Sequence, residues 1–325
     1  MGGDSGPQPY VTAVEQFVGD FPDTHIHIVG KRTELDCLRQ FPVPDRLVFV
    51  DAGDVVSMSD VPSATLRHKR ESSMWKAISL VASGDADACV SPGNTGALMA
   101  MSLHLIKTLP GIKRPAICKP IPTQCGSCYL LDLGANLDCS AENLVQFALM
   151  GAALAKVSGI DKPKLALLNV GSETNKGSSH IQQAAIEIAE FPDISYEGFV
   201  EGGDLFSGSV DVIVCDGFVG NVALKVSEGL VRFIMDSLYD FLHKSISGRI
   251  VMWGVGFFLR RWSQRYNPSL YNGAAFLGLR KTVVKSHGSA DSLAFYKALE
   301  AARDHVLAEI PQKIDQSVQA SLHRT

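Results

Sequence analysis

Short, fully apolar runs alternate along this chain with longer stretches in which apolar residues recur every three to four positions. The runs predict strands at 25–29, 47–50, 88–91, 116–121, 129–133, 165–170, 194–200, 210–215 and 283–285. The periodic stretches predict helices at 8–19, 74–82, 95–107, 141–157, 178–190, 222–243 and 290–308. Strands apolar on both faces, separated by amphipathic helices, mark βαβ units around a covered sheet. The fold class expected is therefore α/β, with a mainly parallel sheet. Residues 118–133 depart from the pattern, because two strands joined by a short turn at 123–127 predict a local antiparallel pair. No repeat or low-complexity linker divides the chain. We expect one α/β domain over 1–311 and a polar, fraying tail over 312–325.

The joins after the strands carry the chemistry. In open α/β sheets ligands collect outside the carboxyl ends of strands. Five such joins are rich in Gly and short polar residues: 91–97 (Ser-Pro-Gly-Asn-Thr-Gly-Ala), 132–136 (Asp-Leu-Gly-Ala-Asn), 169–177 (Asn-Val-Gly-Ser-Glu-Thr-Asn-Lys-Gly), 216–221 (Asp-Gly-Phe-Val-Gly-Asn) and 287–289 (His-Gly-Ser). In the first, glycines admit an anion to the backbone at a helix start, and Ser91, Asn94 and Thr95 add donors. A plain helix cap is the competing reading. In the third, Lys176 is a point charge for a phosphate and Glu173 orients it, against a simple surface ion pair. Asp216 and Asn221 open a long helix, where they either bond a ligand or cap that helix; Lys225 stays open to both. His287 can exchange a proton near neutrality, or merely cap its own loop. Neither GxxxxGK[ST] nor GxGxxG occurs, so nucleotide binding has no fingerprint here.

Charge changes the picture at one place. The chain has a net charge of −4, yet residues 241–290 hold eight Lys/Arg and no acid. Inside lies an uncharged run, 250–259, followed by Arg260, Arg261 and Arg265. Gly254 and Gly256 each cost a helix there about 1 kcal/mol relative to Ala. A basic apolar tip at about 244–272 is expected, with Trp253, Phe257 and Phe258 exposed among arginines. That composition suits an acidic carrier protein or an anionic membrane surface, with packing in a subunit interface as the plainer alternative. The run is too short to span a bilayer. Seven scattered cysteines argue for reduced thiols in a cytoplasm. Cys125-Gly-Ser-Cys128 reads as a thiol-bearing turn rather than half of a metal site. No metal, cofactor or nucleic acid is expected.

The motifs also carry a resemblance. Met1-Gly-Gly-Asp4 with a following Pro, the 91–97 join, Leu131-Asp-Leu-Gly-Ala-Asn136, Leu168-Asn-Val-Gly-Ser-Glu-Thr-Asn-Lys-Gly177, Gly198-Phe-Val-Glu-Gly202, Val214-Cys-Asp-Gly-Phe-Val-Gly-Asn221 with Leu224-Lys225, and Lys285-Ser-His-Gly-Ser289 appear in that order. Together they resemble the bacterial phosphate acyltransferase (acyl-ACP:phosphate transacylase) family over nearly the whole chain. The resemblance implies transfer of an acyl group from acyl carrier protein to inorganic phosphate, the acyl phosphate then feeding glycerolipid synthesis. It also implies a three-layer α/β/α fold like that of isocitrate and isopropylmalate dehydrogenases, a homodimer, and peripheral association with the inner membrane face. Family members usually begin with a strand leading into Asp-Ala-Met-Gly-Gly-Asp; this chain begins at the Met, and Ser91-Pro-Gly stands where Ser-Ala-Gly is usual.

On these residues we expect Lys176, Asn221 and His287 to be catalytic. Ser91, Asn94, Thr95, Gly96, Asn136, Glu173, Asp216 and Gly217 are expected to touch phosphate or thioester. N–H groups near Gly217 or Gly134, or the Asn221 amide, would face the oxyanion, and phosphate would attack directly without an acyl-enzyme. Two other readings stay open at this point: a nicotinamide-dependent decarboxylating dehydrogenase on the same general fold, and a non-catalytic scaffold that binds carrier protein or membrane.

Overall fold

The computed structural model describes residues 2–4, 6–35, 44–244 and 267–322. In chain order its elements are α1 (Gln8–Asp20), β1 (Ile26–Gly30), α2 (Arg32–Leu35), β2 (Leu47–Asp51), α3 (Pro62–His68), α4 (Ser73–Ser83), β3 (Ala88–Ser91), α5 (Thr95–Leu105), β4 (Ala116–Thr123), β5 (Gly126–Leu131), α6 (Ala141–Val157), β6 (Lys164–Leu168), α7 (Ser179–Ala189), β7 (Ser195–Val200), β8 (Val212–Val214), α8 (Gly217–Lys244), β9 (Ala274–Leu277), β10 (Thr282–Lys285), α9 (Ser292–Leu307) and α10 (Ile310–Leu322).

Eight strands form one sheet in the order β3-β10-β9-β4-β5-β8-β6-β7, and β1 pairs with β2 in a separate ribbon. β3/β10, β5/β8, β8/β6, β6/β7 and β1/β2 run parallel, while β10/β9, β9/β4 and β4/β5 run antiparallel. The mainly parallel sheet is as expected, and the predicted local hairpin is β4–β5.

Side chains alternate between two cores, one on each face of the sheet. Cys118, Leu131, Leu165, Val212 and Val284 point to one, with α6, α7, α9 and α10. Cys89, Ile117, Leu130, Ile213 and Val283 point to the other, with α4 and α5, and Ala223 and Leu224 of α8 pack against it. Three layers follow, α/β/α. A third, smaller core joins α1 to α9 through Tyr10, Phe17, Phe295 and Tyr296, with β1 and β2 on its edge. Between β1 and β3 lies a cavity of about 460 Å³, walled by both strands and by α1, α4 and α9.

Three features differ from expectation. β9 was not predicted; it is four residues long and lies between Gly273 and Gly278, with none of the β-branched residues that mark strands. α8 begins at Gly217, five residues before the predicted start, because Asp216 caps it. The supposed fraying tail is α10, in which Ile310, Ile314 and Val318 recur at four-residue spacing and bury against the α6 layer. The apolar-basic residues Trp253, Phe257, Phe258, Arg260, Arg261 and Arg265 lie outside the described residues. Among those described, no helix is long and apolar enough to cross a membrane.

Candidate active site

The register brings the carboxyl ends of oppositely running strands to one line. Val90, Val284, Ala275, Cys118, Leu131, Val214 and Leu167 form a continuous rung across the sheet. β3 and β10 enter this rung from one side and end one residue past it, at Ser91 and Lys285. β5 and β8 enter from the other side and end on it, at Leu131 and Val214. The strands that feed the five polar joins therefore all end within one residue of this rung, β6 at Leu168.

The 132–136 join is a buried hub. The Asp132 carboxylate accepts from the backbone N–H of Ile117 (2.9 Å), Ala135 (3.0 Å) and Asn136 (2.7 Å) and from Asn136 Nδ2 (2.9 Å). Burial raises its pKa, and these donors only partly offset that. Asn136 Nδ2 also donates to Pro115 O, and Asn136 O accepts from Gly217 N at 2.8 Å. Helix α8 thus starts directly on this hub; a Cβ at Gly220 would lie 1.9 Å from Asp132 O, so only glycine fits. Asn136 and the Gly217 N–H, expected at substrate, are spent on joining two loops. Asp216 Oδ1 accepts from Val219 N at 2.8 Å, the capping alternative, whereas Asn221 is exposed beside Gly134.

At 91–97 the correction is similar. Asn94 Oδ1 caps α5 by accepting from Ala97 N (3.0 Å), and its Nδ2 donates to the carbonyls of Ser57, Met58 and Asp60. That side chain pins the loop before α3 and has no donor left for phosphate. Ser91 Oγ accepts from Gly93 N at 3.3 Å. Thr95 and Gly96, the first residues of α5, are half-buried.

In the 169–177 join, Asn169 Nδ2 donates to Lys176 O, and Gln182 Nε2 donates to the carbonyls of Asn175, Lys176 and Gly177. The loop is well held. Its Lys176 and Glu173 side chains are exposed, and among the described residues neither forms an ion pair or hydrogen bond with the other joins.

His287 does meet another join. Its Nε2 lies 2.9 Å from Lys225 Nζ on α8, and its Nδ1 lies 2.8 Å from Ser289 Oγ. An ammonium can only donate, so Nε2 accepts from Lys225, while the Ser289 N–H also points at Nδ1, at 3.3 Å. Burial and then Lys225 lower the His287 pKa, keeping the ring neutral. Lys225 also pairs with Glu228 at 3.1 Å, and Glu228 reaches Lys119 of β4 at 3.6 Å. Burial alone would raise the Glu228 carboxyl; Lys119 and Lys225 outweigh it and hold it below the ordinary glutamate value.

Lys285 completes the group. It shares a sheet face with Val283, as Lys119 does with Ile117 and Ile121, and its Nζ donates to Pro92 O at 2.8 Å. Burial pulls it down to about 8, Asp4 opposing and Lys225 assisting. Asp4 is held there by its N–H to Gly288 O (2.8 Å), and Tyr10 Oη donates to the same carbonyl. Lys119, Glu228, Lys285 and Asp4 were not among the expected site residues. Their sequence signal was a lone lysine inside an apolar strand, twice, and a Lys-x-x-Glu pair on one helix face.

A family model described as a fatty acid synthesis protein matches residues 1–313. A phosphate acyltransferase of Teredinibacter turnerae is 53% identical over 317 residues, covering 97% of this chain and 96% of that protein. One from Saccharophagus degradans is 49% identical over 323 residues, covering 99% and 95%. Among solved structures, a phosphotransacetylase from Streptococcus pyogenes matches with a TM-score of 0.60 at 18% identity, over 96% of this chain and 91% of that one. A 4-hydroxythreonine-4-phosphate dehydrogenase from Klebsiella pneumoniae matches at 0.54 and 14% identity, over 94% and 98%. The solved structures establish the fold. The sequence relatives set aside the dehydrogenase and scaffold readings, and the chain belongs to the phosphate acyltransferase family.

Proposed function

We propose that the protein transfers a fatty acyl group from acyl carrier protein to inorganic phosphate, giving an acyl phosphate for phospholipid synthesis. The observation that carries this reading is the contact of His287 with Lys225, where joins from both strand blocks meet among several ammonium groups. Such a place suits a small oxyanion beside a polarised carbonyl. Positioning is the main effect needed, since well-oriented reactants recover about 7–11 kcal/mol of barrier.

In the step proposed, a phosphate oxygen bonds to the acyl carbon and the C–S bond breaks. Sulfur leaves with the electron pair and takes the proton shared between Lys225 and His287. We assign the carbonyl oxygen to the exposed Asn221 amide, with the N–H groups of Thr95 and Gly96 and the Lys176 ammonium as further donors to phosphate. Release of free thiol from acyl carrier protein by the purified protein should require phosphate. Thiol release without phosphate, or an acyl-enzyme trapped before phosphate is added, would contradict direct attack.

To the basic tip at about 244–272, with Arg260, Arg261 and Arg265, we assign docking of the acidic carrier or of anionic lipid, an association that should weaken as salt rises. A homodimer is supported by the outer face of α8, where Val226, Leu230, Phe233 and Phe241 are more than half exposed at helical spacing. Val226→Glu should shift sedimentation toward the monomer.

A further inference from the structure

The ammonium groups around α8 outnumber what balances them. Lys119, Lys225 and Lys285 face two carboxylates, Glu228 and Asp4, and the histidine among them is neutral. Each ammonium carries three donors, yet among the described residues their side-chain partners are Glu228, the His287 ring and the Pro92 carbonyl. Lys119 and Lys285 lie on strands, turned under a helix layer where packing alone would choose an apolar residue. A buried lysine costs stability unless something pairs with it. Spare donors and surplus charge in one half-buried place call for a partner that is anionic and purely accepting.

We propose that Lys119, Lys225 and Lys285 bind the phosphoryl oxygens of the phosphate acceptor and of the acyl phosphate product, with Glu228 as a positioning residue for two of them. This rests on the acyl-transfer reading and gives phosphate to these lysines in place of the spent Asn94 side chain and of the exposed Lys176. The register gives it a physical basis. Ser91 and Lys285 are paired across β3/β10, and Lys119 lies one residue past the shared rung on the same face. The cations therefore arrive on rigid strands, and α8 brings the third from above. Glu228 bridges Lys119 and Lys225, so its carboxylate sets their separation without touching substrate.

Inorganic phosphate is the probe, titrated calorimetrically into the intact protein, with steady-state kinetics in parallel. Lys119→Met and Lys285→Met should each weaken phosphate binding and raise its KM about ten-fold or more, leaving the KM for the acylated carrier protein in place. Glu228→Gln should lower kcat and shift the His287 titration downward, since Glu228 is the charge that raises it; a merely structural role would move neither. In wild type, which avoids any question of folding, phosphate should raise the His287 pKa in an NMR titration. An unmoved His287 overturns the proposal. So does phosphate binding that survives in both lysine variants but is lost in Lys176→Met, while phosphate-dependent thiol release would still uphold the reaction. Phosphate bound at the cluster without any thiol release would instead sink the reaction and leave the site.

Discussion

A lysine ammonium carried under a helix loses its hydration, and Lys285 shows the consequence in its pKa of about 8. The groups facing it are Asp4, Lys225, the neutral His287 and the Pro92 carbonyl. Sulfate keeps its charge through this range, so any pH dependence of its binding belongs to the protein. Stabilisation by a fixed sulfate concentration should therefore shrink as pH rises through about 8, measured as the shift in Tm. In Lys285→Met it should be smaller and should fall less over the same range, Lys119 being the remaining buried lysine whose pKa is lowered. Without anion the sign reverses. The unfolded chain keeps this proton to about 10.4 and the folded one only to about 8, so wild type gains stability relative to Lys285→Met as pH rises between them. Little of this was legible in the sequence. Both strand lysines look like ordinary strand punctuation until the register places them on one face, and Asn94, readable as either phosphate ligand or helix cap, is decided by Ala97 N on its oxygen and by the carbonyls of Ser57, Met58 and Asp60 on its amide donors.

Elements whose ends carry their own chemistry were the readable ones. α6 was predicted to the residue, because Ser140 and Asn143 form a reciprocal cap at its start. α10 was missed, since Pro311 and a polar composition suggest an end rather than a beginning. A proline in a helix's first turn is tolerated, and three apolar residues suffice to dock it. Ile314 is 1% exposed, so Ile314→Ala should cost about 2–5 kcal/mol, read from the urea midpoint. A loss near zero would mean that the C-terminal segment frays in solution as its composition suggests. β9 escaped for the opposite reason: alanines between glycines have no strand pattern, and only its neighbours β4 and β10 define it.

At the scale of the whole molecule, the buried thiols report how the two cores hold together. Cys118 and Cys139 belong to one core and Cys89, Cys128 and Cys215 to the other, while Cys125 is exposed on the β4–β5 turn. Burial pushes Cys89, Cys128 and Cys139 up to about 12, and raises Cys118 and Cys215 as well. An unfolded thiol ionises near about 8.5. The stability these raised values contribute is complete below that pH and is lost as pH climbs toward their folded values. Lys285 and Lys119, whose pKa values burial lowers, act the other way, but they are two groups against five. The urea midpoint should therefore fall from about pH 8.5 upward. Among the described residues, a thiol reagent at neutral pH should label Cys125 quickly and the five buried cysteines only as fast as the molecule opens, all at a similar rate as read by mass spectrometry. If Cys89, Cys128 and Cys215 reacted well before Cys118 and Cys139, the layer carrying α8 would open independently, and the lysines beneath it would owe their arrangement to a mobile lid rather than to the sheet.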